Sequence, residues 1–517
     1  MKRLLSASKD TYITNRIIRN AFRATDTNVG QAGTLDLFKL AGESSYTTDG
    51  PLISGTTDPI ELTRLLLKFD LSPLYALTSS ILDISDQSFK CTLKMFDVIG
   101  GQTIPSNFTA ILYPLSKSFD EGLGRDVISY EDIDSCNFIT ASTAGGSTSI
   151  WAQSGANAMG YAGQQNVDVI TGSTSLGNMF ATQYFAEGSE DLSMDITSII
   201  SATMTNQLPD HGFRISFSGS QETDSKTRFV KRFISRHSTN TRQTPRVIIG
   251  WDDSVHDNHE NFEFDVSGSL FLNNFARGQP SNIVSGTAAT QISGLNSLLL
   301  TVTSGTNSGS LANSYFSLTT TASQHQVGTN FIPGVYSASL SISSFEPALR
   351  DEIINAQSAT FTEIWGSLDG TIGYHTGTLV VKTIPKSSFS NVPERLKLNV
   401  TNMREFFKVT EKVRFRVFAQ DEGTFSLRYT RVPIEAKSVI FDKAYYRVRD
   451  TNSNETIFEF DETTNSTKLS TDSSGMYFDL FMNDLDVGRV YQIDMLINNG
   501  GVKQIFERVG GVFRVDP

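Results

Sequence analysis

Arg64-Leu-Leu-Leu-Lys-Phe-Asp-Leu71 holds three consecutive leucines between two charged residues and is followed by a serine-proline step. A short continuous apolar run of this kind, bounded by polar residues, reads as a strand buried on both faces. Working outward, Leu93-Lys-Met-Phe-Asp-Val98 and Phe213-Arg-Ile-Ser-Phe217 read as further core strands. Much later in the chain, Val413-Arg-Phe-Arg-Val417 places Val413, Phe415 and Val417 on one face and two arginines on the other. That is the period-two pattern of a half-buried strand. Tyr446-Arg-Val-Arg-Asp450 repeats it. Runs like these, separated by clusters of Gly, Asn, Asp, Ser and Thr, predict an all-β chain. Two short helices are expected, from Asp195 to Asn206, with Asp195 as its N-terminal cap, and from Pro347 to Ala356.

The 517 residues suggest about three domains. A first β-sandwich is expected over residues 1–252, with Gly/Ser/Gln/Asn-rich surface loops from Gly145 to Gly188. The polar, acidic stretch Asp252 to Glu260 reads as a solvated linker. A β-rich middle domain follows over 261–388. Tyr336, Ala338, Leu340 and Ile342 alternate with serines there, and Phe361-Thr-Glu-Ile-Trp365 faces Thr378-Leu-Val-Val-Lys382 across an Asp369-Gly370 turn. Segment 281–331, low in charge and rich in Ser, Thr, Asn and Gly, reads as irregular binding loops. Residues 389–517 read as an immunoglobulin-like β-sandwich, the last of three sandwich-like domains in series.

Composition bounds the function. Hydrophobic residues are 38% of the chain and charged residues 19%, enough to build cores. The 35 phenylalanines suit sandwich interiors, since the ring buries a large area and leaves no polar atom to satisfy. A net charge of -12 and a pI near 5.1 argue against nucleic acid and anionic membrane as partners. No apolar stretch approaches the ~20 residues of a spanning helix, and residues 2–10 lack the apolar core of a signal peptide. Cys91 and Cys136 are the only cysteines and either pair or act as small buried hydrophobes.

No motif specifies a reaction. The chain lacks a G-x-S-x-G elbow, a phosphate-binding G-K-[ST] loop and an H-E-x-x-H helix. An enzyme is therefore not expected, and no catalytic, cofactor or metal residues are assigned. His256-Asp-Asn-His259-Glu260 could supply ligands, but its spacing is not that of a helical zinc motif. Asp120, Glu121 and Asp126 share one glycine-containing loop and read as exposed turn carboxylates rather than a calcium loop. Trp251 and Trp365 read as core or boundary residues. Trp151, beside the Gly/Ser-rich loops, is the candidate glycan contact. Arg414, Arg416, Arg447 and Arg449 are candidate assembly contacts, aligned in cross-strand rows.

Two resemblances add to this reading. The order Asp10-Thr-Tyr-Ile13, Asn28-Val-Gly30, Arg64 to Leu71, Phe119-Asp-Glu-Gly122, Trp151 to Gly155, Ser235-Arg-His237 and Pro245 to Trp251 resembles the DNRLRE-type β-sandwich. That module looks like a carbohydrate-binding domain and usually sits on secreted proteins. The chain departs from its pattern at Phe119, where tryptophan is usual, and at His237, where the closing S-R-E has glutamate. The second set is Arg414-Phe-Arg-Val-Phe418, Tyr446 to Arg449, Asn465-Ser-Thr467, Ser474 to Phe478 and Gly488-Arg489. It resembles a domain of structural proteins in large tailed bacteriophages. Together these imply a virion structural protein of the tail, baseplate or neck. It would be made in the host cytoplasm and joined in multiple copies to other virion proteins. The alternative is a host-adhesion protein that binds a surface glycan, and the third reading is a depolymerase of surface polymer.

Overall fold

The computed structural model describes all residues except 19–21, 43–45, 48–49, 52–59, 79–80, 131–133, 144–145, 174, 176, 287–288, 305–314, 385–394, 422–437 and 500. The described residues are all-β, with three short α-helices, none long and apolar enough to cross a membrane. The chain divides into two compact units. One comprises Arg3–Ala76 with Phe89–Gly250. The other comprises Met1–Lys2, Leu77–Ser88 and Trp251–Pro517. The boundary expected near residue 388 lies outside the described residues.

The first unit is built on a ten-stranded sheet. Its strands are β1 (Lys2–Thr14), β2 (Thr34–Ala41), β3 (Ile60–Phe69), β4 (Lys90–Met95), β5 (Phe108–Pro114), β6 (Ala181–Phe185), β7 (Leu192–Asp195), β8 (Phe213–Phe217), β9 (Arg228–Ile234) and β10 (Arg246–Gly250). The main path runs β6-β5-β8-β3-β1-β10-β4-β7, and β2 pairs with both β3 and β9. Strand β3 carries the leucine run, and Leu65, Leu66 and Leu67 are all fully buried, as a strand covered on both faces requires. On one side Leu66 joins Ile13, Phe119, Cys136, Phe138 and Trp151 in a single core. Phe108 stacks on Phe185 at 4.8 Å and meets Phe217 edge-on. Both cysteines are buried and free. Helix α1 (Thr197–Met204) departs from the expected cap: Asp195 ends β7 and its carboxylate accepts the Thr197 N–H at 3.0 Å, while Ile196 takes the N-terminal cap position with no side-chain bond.

The second unit holds one six-stranded sheet over residues 268–382 and a two-layer sandwich over residues 396–516. The six-stranded sheet is β11 (Gly268–Asn273), β12 (Leu298–Ser304), β13 (Phe316–Val327), β14 (Asn330–Leu340), β15 (Ser358–Gly366) and β16 (Gly373–Lys382), ordered β11-β14-β13-β12-β15-β16. Its core contains Tyr336, Ala338, Leu340, Phe361 and Trp365. The β15–β16 pairing sets Phe361 against Leu379, and Gly370 turns with φ 69°. Segment 281–331 departs from the loop expectation. Leu298, Leu300 and Val302 alternate into the core from β12, and β13 follows. Serine and threonine dominate the outer face, and threonine is itself a strand former, so low charge here marks a sheet and not a loop.

The sandwich pairs a four-stranded sheet with a six-stranded one. The first contains β17 (Leu396–Val400), β19 (Lys412–Asp421), β22 (Ser470–Asp472) and β23 (Gly475–Phe481). The second contains β18 (Phe406–Lys408), β20 (Ala444–Asp450), β21 (Thr456–Phe458), β24 (Val490–Asn499), β25 (Val502–Phe506) and β26 (Val512–Asp516). Aromatic rings join the layers: Tyr446 stacks on Phe478 at 4.3 Å, and Phe415 meets Phe513 at 5.8 Å.

Asp252 to Glu260 is not a solvated linker. Val255 O accepts the Thr471 N–H, and the Asp257 N–H bonds Thr471 Oγ1. His259 is nearly buried between Asp257 (Nδ1 to Oδ1, 2.6 Å) and Glu363 (Nε2 to Oε2, 3.0 Å). Burial works against a charged ring, but the hydrogen bonds and charges of the two carboxylates outweigh it and raise the His259 pKa to about 10. A raised folded value stabilises fully below the unfolded value of 6.5, and that contribution is lost as pH rises through about 10. Urea unfolding across pH 6 to 10 should show this falling limb in the natural chain and a flatter one in His259→Gln. Parallel limbs in the two proteins would refute the assignment.

Candidate functional site

Four of the sequence landmarks meet at one place in the first unit. Asp10 comes from β1, Asn28 and Gly30 from the loop before β2, Glu121 to Gly124 from the loop after β5, and Ser235 to His237 from the end of β9. Asn28 is fully buried and ties two loops together. Its Nδ2 donates to Glu121 O at 2.9 Å and Cys136 O at 2.8 Å, and its Oδ1 accepts the N–H groups of Gly30 at 3.1 Å and Gly124 at 2.9 Å. The backbones approach so closely that a Cβ on Gly30 would lie 1.8 Å from Glu121 O, and one on Gly124 would lie 1.8 Å from Asn28 O. Glycine is required at both positions for that reason.

This clasp presents Glu121 to its partners. Glu121 Oε1 accepts the Asp10 N–H at 2.9 Å and lies 3.2 Å from His237 Nε2. Both Glu121 oxygens lie 3.1 Å from Arg236 Nη1. Asp10 is fully buried. Its Oδ2 accepts the Arg236 N–H at 2.6 Å, while Oδ1 has no hydrogen-bond partner. Burial pushes the Asp10 carboxyl up to about 7; the Arg236 N–H opposes this and the Glu121 charge adds to it. Glu121 and His237 remain partly open, with side chains 17% and 26% exposed. The expectation of three exposed turn carboxylates is thus corrected at Glu121. It fails at Asp120 too, which is half-buried and accepts the Thr143 N–H from a separate stretch of chain, and holds at exposed Asp126, which accepts the N–H groups of Ile128 and Ser129.

The residues singled out from sequence fall elsewhere. Trp151 is buried in the core with Phe119 and Phe138, and its Nε1 donates to Asn137 O at 3.0 Å. An indole so enclosed has no face to offer a sugar ring, so it does not serve as a glycan contact. Trp251 and Trp365 are core residues, as expected. The four arginines do not form one row, because β19 and β20 belong to opposite layers of the sandwich. Arg414 lies over Tyr477 at 4.0 Å and pairs with Asp479 at 2.8 Å, while Arg416 pairs with Asp472 at 2.6 Å. On the other layer Arg447 and Arg449 converge on fully buried Asp494, at 2.9 and 2.5 Å. Arg414 also lines a cleft of about 1030 Å³ together with Asp83, Asp253, Lys412, Tyr477 and Asp479.

The meeting of Asp10, Glu121 and His237 was not read from sequence as a site. Its signal lay in the order of landmarks. Each polar residue occupies a fixed place in a strand or turn pattern, over 200 residues of chain.

No family model matches the chain, and no curated protein matches it. Among solved structures, the N-terminal Ig1-2 module of the Drosophila receptor protein tyrosine phosphatase DLAR is matched at 6% identity. The match covers 51% of this chain and 95% of that one, with a TM-score of 0.14. Superposition that poor carries no argument about fold or function.

Proposed function

We propose that this chain is a bacteriophage virion structural protein of the tail, baseplate or neck, acting by assembly with other virion proteins in multiple copies. The observation that carries the reading is where the phage-like motif residues fall. Arg414 to Phe418 and Ser474 to Phe478 lie in or beside strands of one layer, Tyr446 to Arg449 in the other, and Tyr446 stacks on Phe478 between them. The resemblance therefore follows one folded module of immunoglobulin-like kind. Repeated copies allow a weak contact per subunit to suffice. The glycan-binding alternative has lost Trp151, the aromatic on which it rested.

The test is immunogold electron microscopy of purified particles with antibodies to residues 389–517, alongside the denatured protein profile of the same particles. Label at the neck, tail or baseplate supports the reading. Intact particles with neither label nor band overturn it. Arg414 is 41% exposed by side chain, and exposed pairs contribute roughly 0–1 kcal/mol. Arg414→Ala should therefore leave the unfolding midpoint of the isolated protein nearly unchanged. Reduced incorporation of that variant into particles would mark an assembly contact, and unchanged incorporation would remove Arg414 from the interface.

A further inference from the structure

We propose that Asp10, Glu121 and His237 form a binding site for one divalent transition-metal ion of the zinc class. One ligand atom from each residue lies within 4.8 Å of the others. His237 Nε2 and Glu121 Oε1 are 3.2 Å apart. Two ligands bound at zinc distances in tetrahedral geometry stand about 3.3 Å apart. The pair is therefore already spaced as one edge of such a coordination sphere.

The independent observation is Asp10. Its side chain is fully buried, yet Oδ1 has no hydrogen-bond partner. An acceptor left unmade in the interior is costly, and a cation bound by the Asp10 carboxylate would offset that cost. With both carboxylates ionised, as they would be when holding a metal, two negative charges face one guanidinium, that of Arg236. Arg236 also holds both ligands in place, its N–H on Asp10 Oδ2 and its guanidinium on both oxygens of Glu121. Such outer partners commonly orient metal ligands.

The donor set selects the ion. One imidazole and two carboxylates suit zinc, cobalt, manganese or iron, whereas calcium takes six to eight oxygens. The other acids of the loop are turned to backbone N–H groups and do not complete an oxygen cage. The partial exposure of Glu121 and His237 gives an entry path and leaves room for water as a fourth ligand. The ion would join β1, the loop after β5 and the end of β9, and so it would stabilise the unit by binding the folded form alone.

The full chain, stripped with a chelator, should be titrated with Co²⁺ and followed by visible absorption, then challenged with Zn²⁺. The expected result is one Co²⁺ per chain, displaced by Zn²⁺, and a higher thermal midpoint with either ion. His237 is partly exposed, so His237→Ala should fold, as circular dichroism would check. It should bind at least about 100-fold more weakly, since even outer-shell losses cost 10- to 100-fold. His256→Ala, a change in the other unit, should bind like the natural chain. Absence of stoichiometric uptake, equal uptake by His237→Ala, or preference for Ca²⁺ over both metals would each overturn the proposal.

Discussion

Asn28→Asp is expected to destabilise the first unit by about 2–5 kcal/mol, although it changes one atom of the side chain and keeps its shape. The amide Nδ2 donates to two carbonyls, Glu121 O and Cys136 O. Aspartate replaces that donor with an oxygen facing two oxygens, in a position with no exposure to water. Protonation could restore one of the two bonds at most, and ionisation would bury an unpaired charge. The Oδ1 side of the clasp, with Gly30 and Gly124, is left intact, so the variant isolates the donor. Urea unfolding at neutral pH measures the effect. A loss below about 1 kcal/mol, the net worth of a single ordinary hydrogen bond, would show that the clasp is not what holds the two loops. Loosening it should also release Glu121, so a folded Asn28→Asp chain is expected to bind Co²⁺ less tightly.

The period-two strand β19 was legible because its alternation is local, whereas in β20, expected to repeat it, Arg449 and Asp450 are buried as well. Val413, Phe415 and Val417 are buried and Arg414 and Arg416 are not, as the sequence predicts. The leucine run of β3 was legible for the same reason. What failed was reading composition in place of pattern. Segment 281–331 looked like loops because it is poor in charge, while Leu298, Leu300 and Val302 carried the strand signal in every second residue. Asp252 to Glu260 looked solvated because it is acidic, but Asp257 and His259 neutralise one another and Thr471 takes up the backbone. The candidate metal cluster was illegible for a different reason. Asp10, Glu121 and His237 are separated by more than a hundred residues at each step, and only the sheet together with the Asn28 clasp brings them together. A family pattern gives the order of such residues without their distances. Trp151 shows the converse error: glycine-rich neighbours in sequence suggested exposure, and the indole is in fact packed in the core with Phe119 and Phe138.

Asp494→Ala is expected to cost about 3–5 kcal/mol, the range for breaking a buried ion pair from one side. Strand register explains why one carboxylate serves two arginines. Arg447 lies directly opposite Asp494 on β24, and Arg449 is one pleat further along the same face. Oδ2 accepts from both guanidinium groups, and Oδ1 accepts the Arg508 N–H and Gln492 Nε2 at 3.0 Å each. Alanine would leave two largely buried cations facing each other, with side chains 17% and 11% exposed. The pair Arg414–Asp479 lies on the more open layer, where the same kind of truncation should cost far less. Acid adds a second readout. Burial raises the Asp494 pKa, but the hydrogen bonds from Arg449, the Arg508 N–H and Arg447 outweigh it and hold the value below the ordinary 3.8. A depressed folded value contributes stability above the unfolded pKa and loses it as pH falls through the folded one. The natural chain should therefore lose stability more steeply than Asp494→Ala below about pH 4. Equal acid limbs would mean that Glu507, which also reaches Arg449 at 2.9 Å, carries the charge balance instead. Adding Glu507→Gln to Asp494→Ala separates the two. If Asp494 is the main partner, the second change should cost little beyond the first.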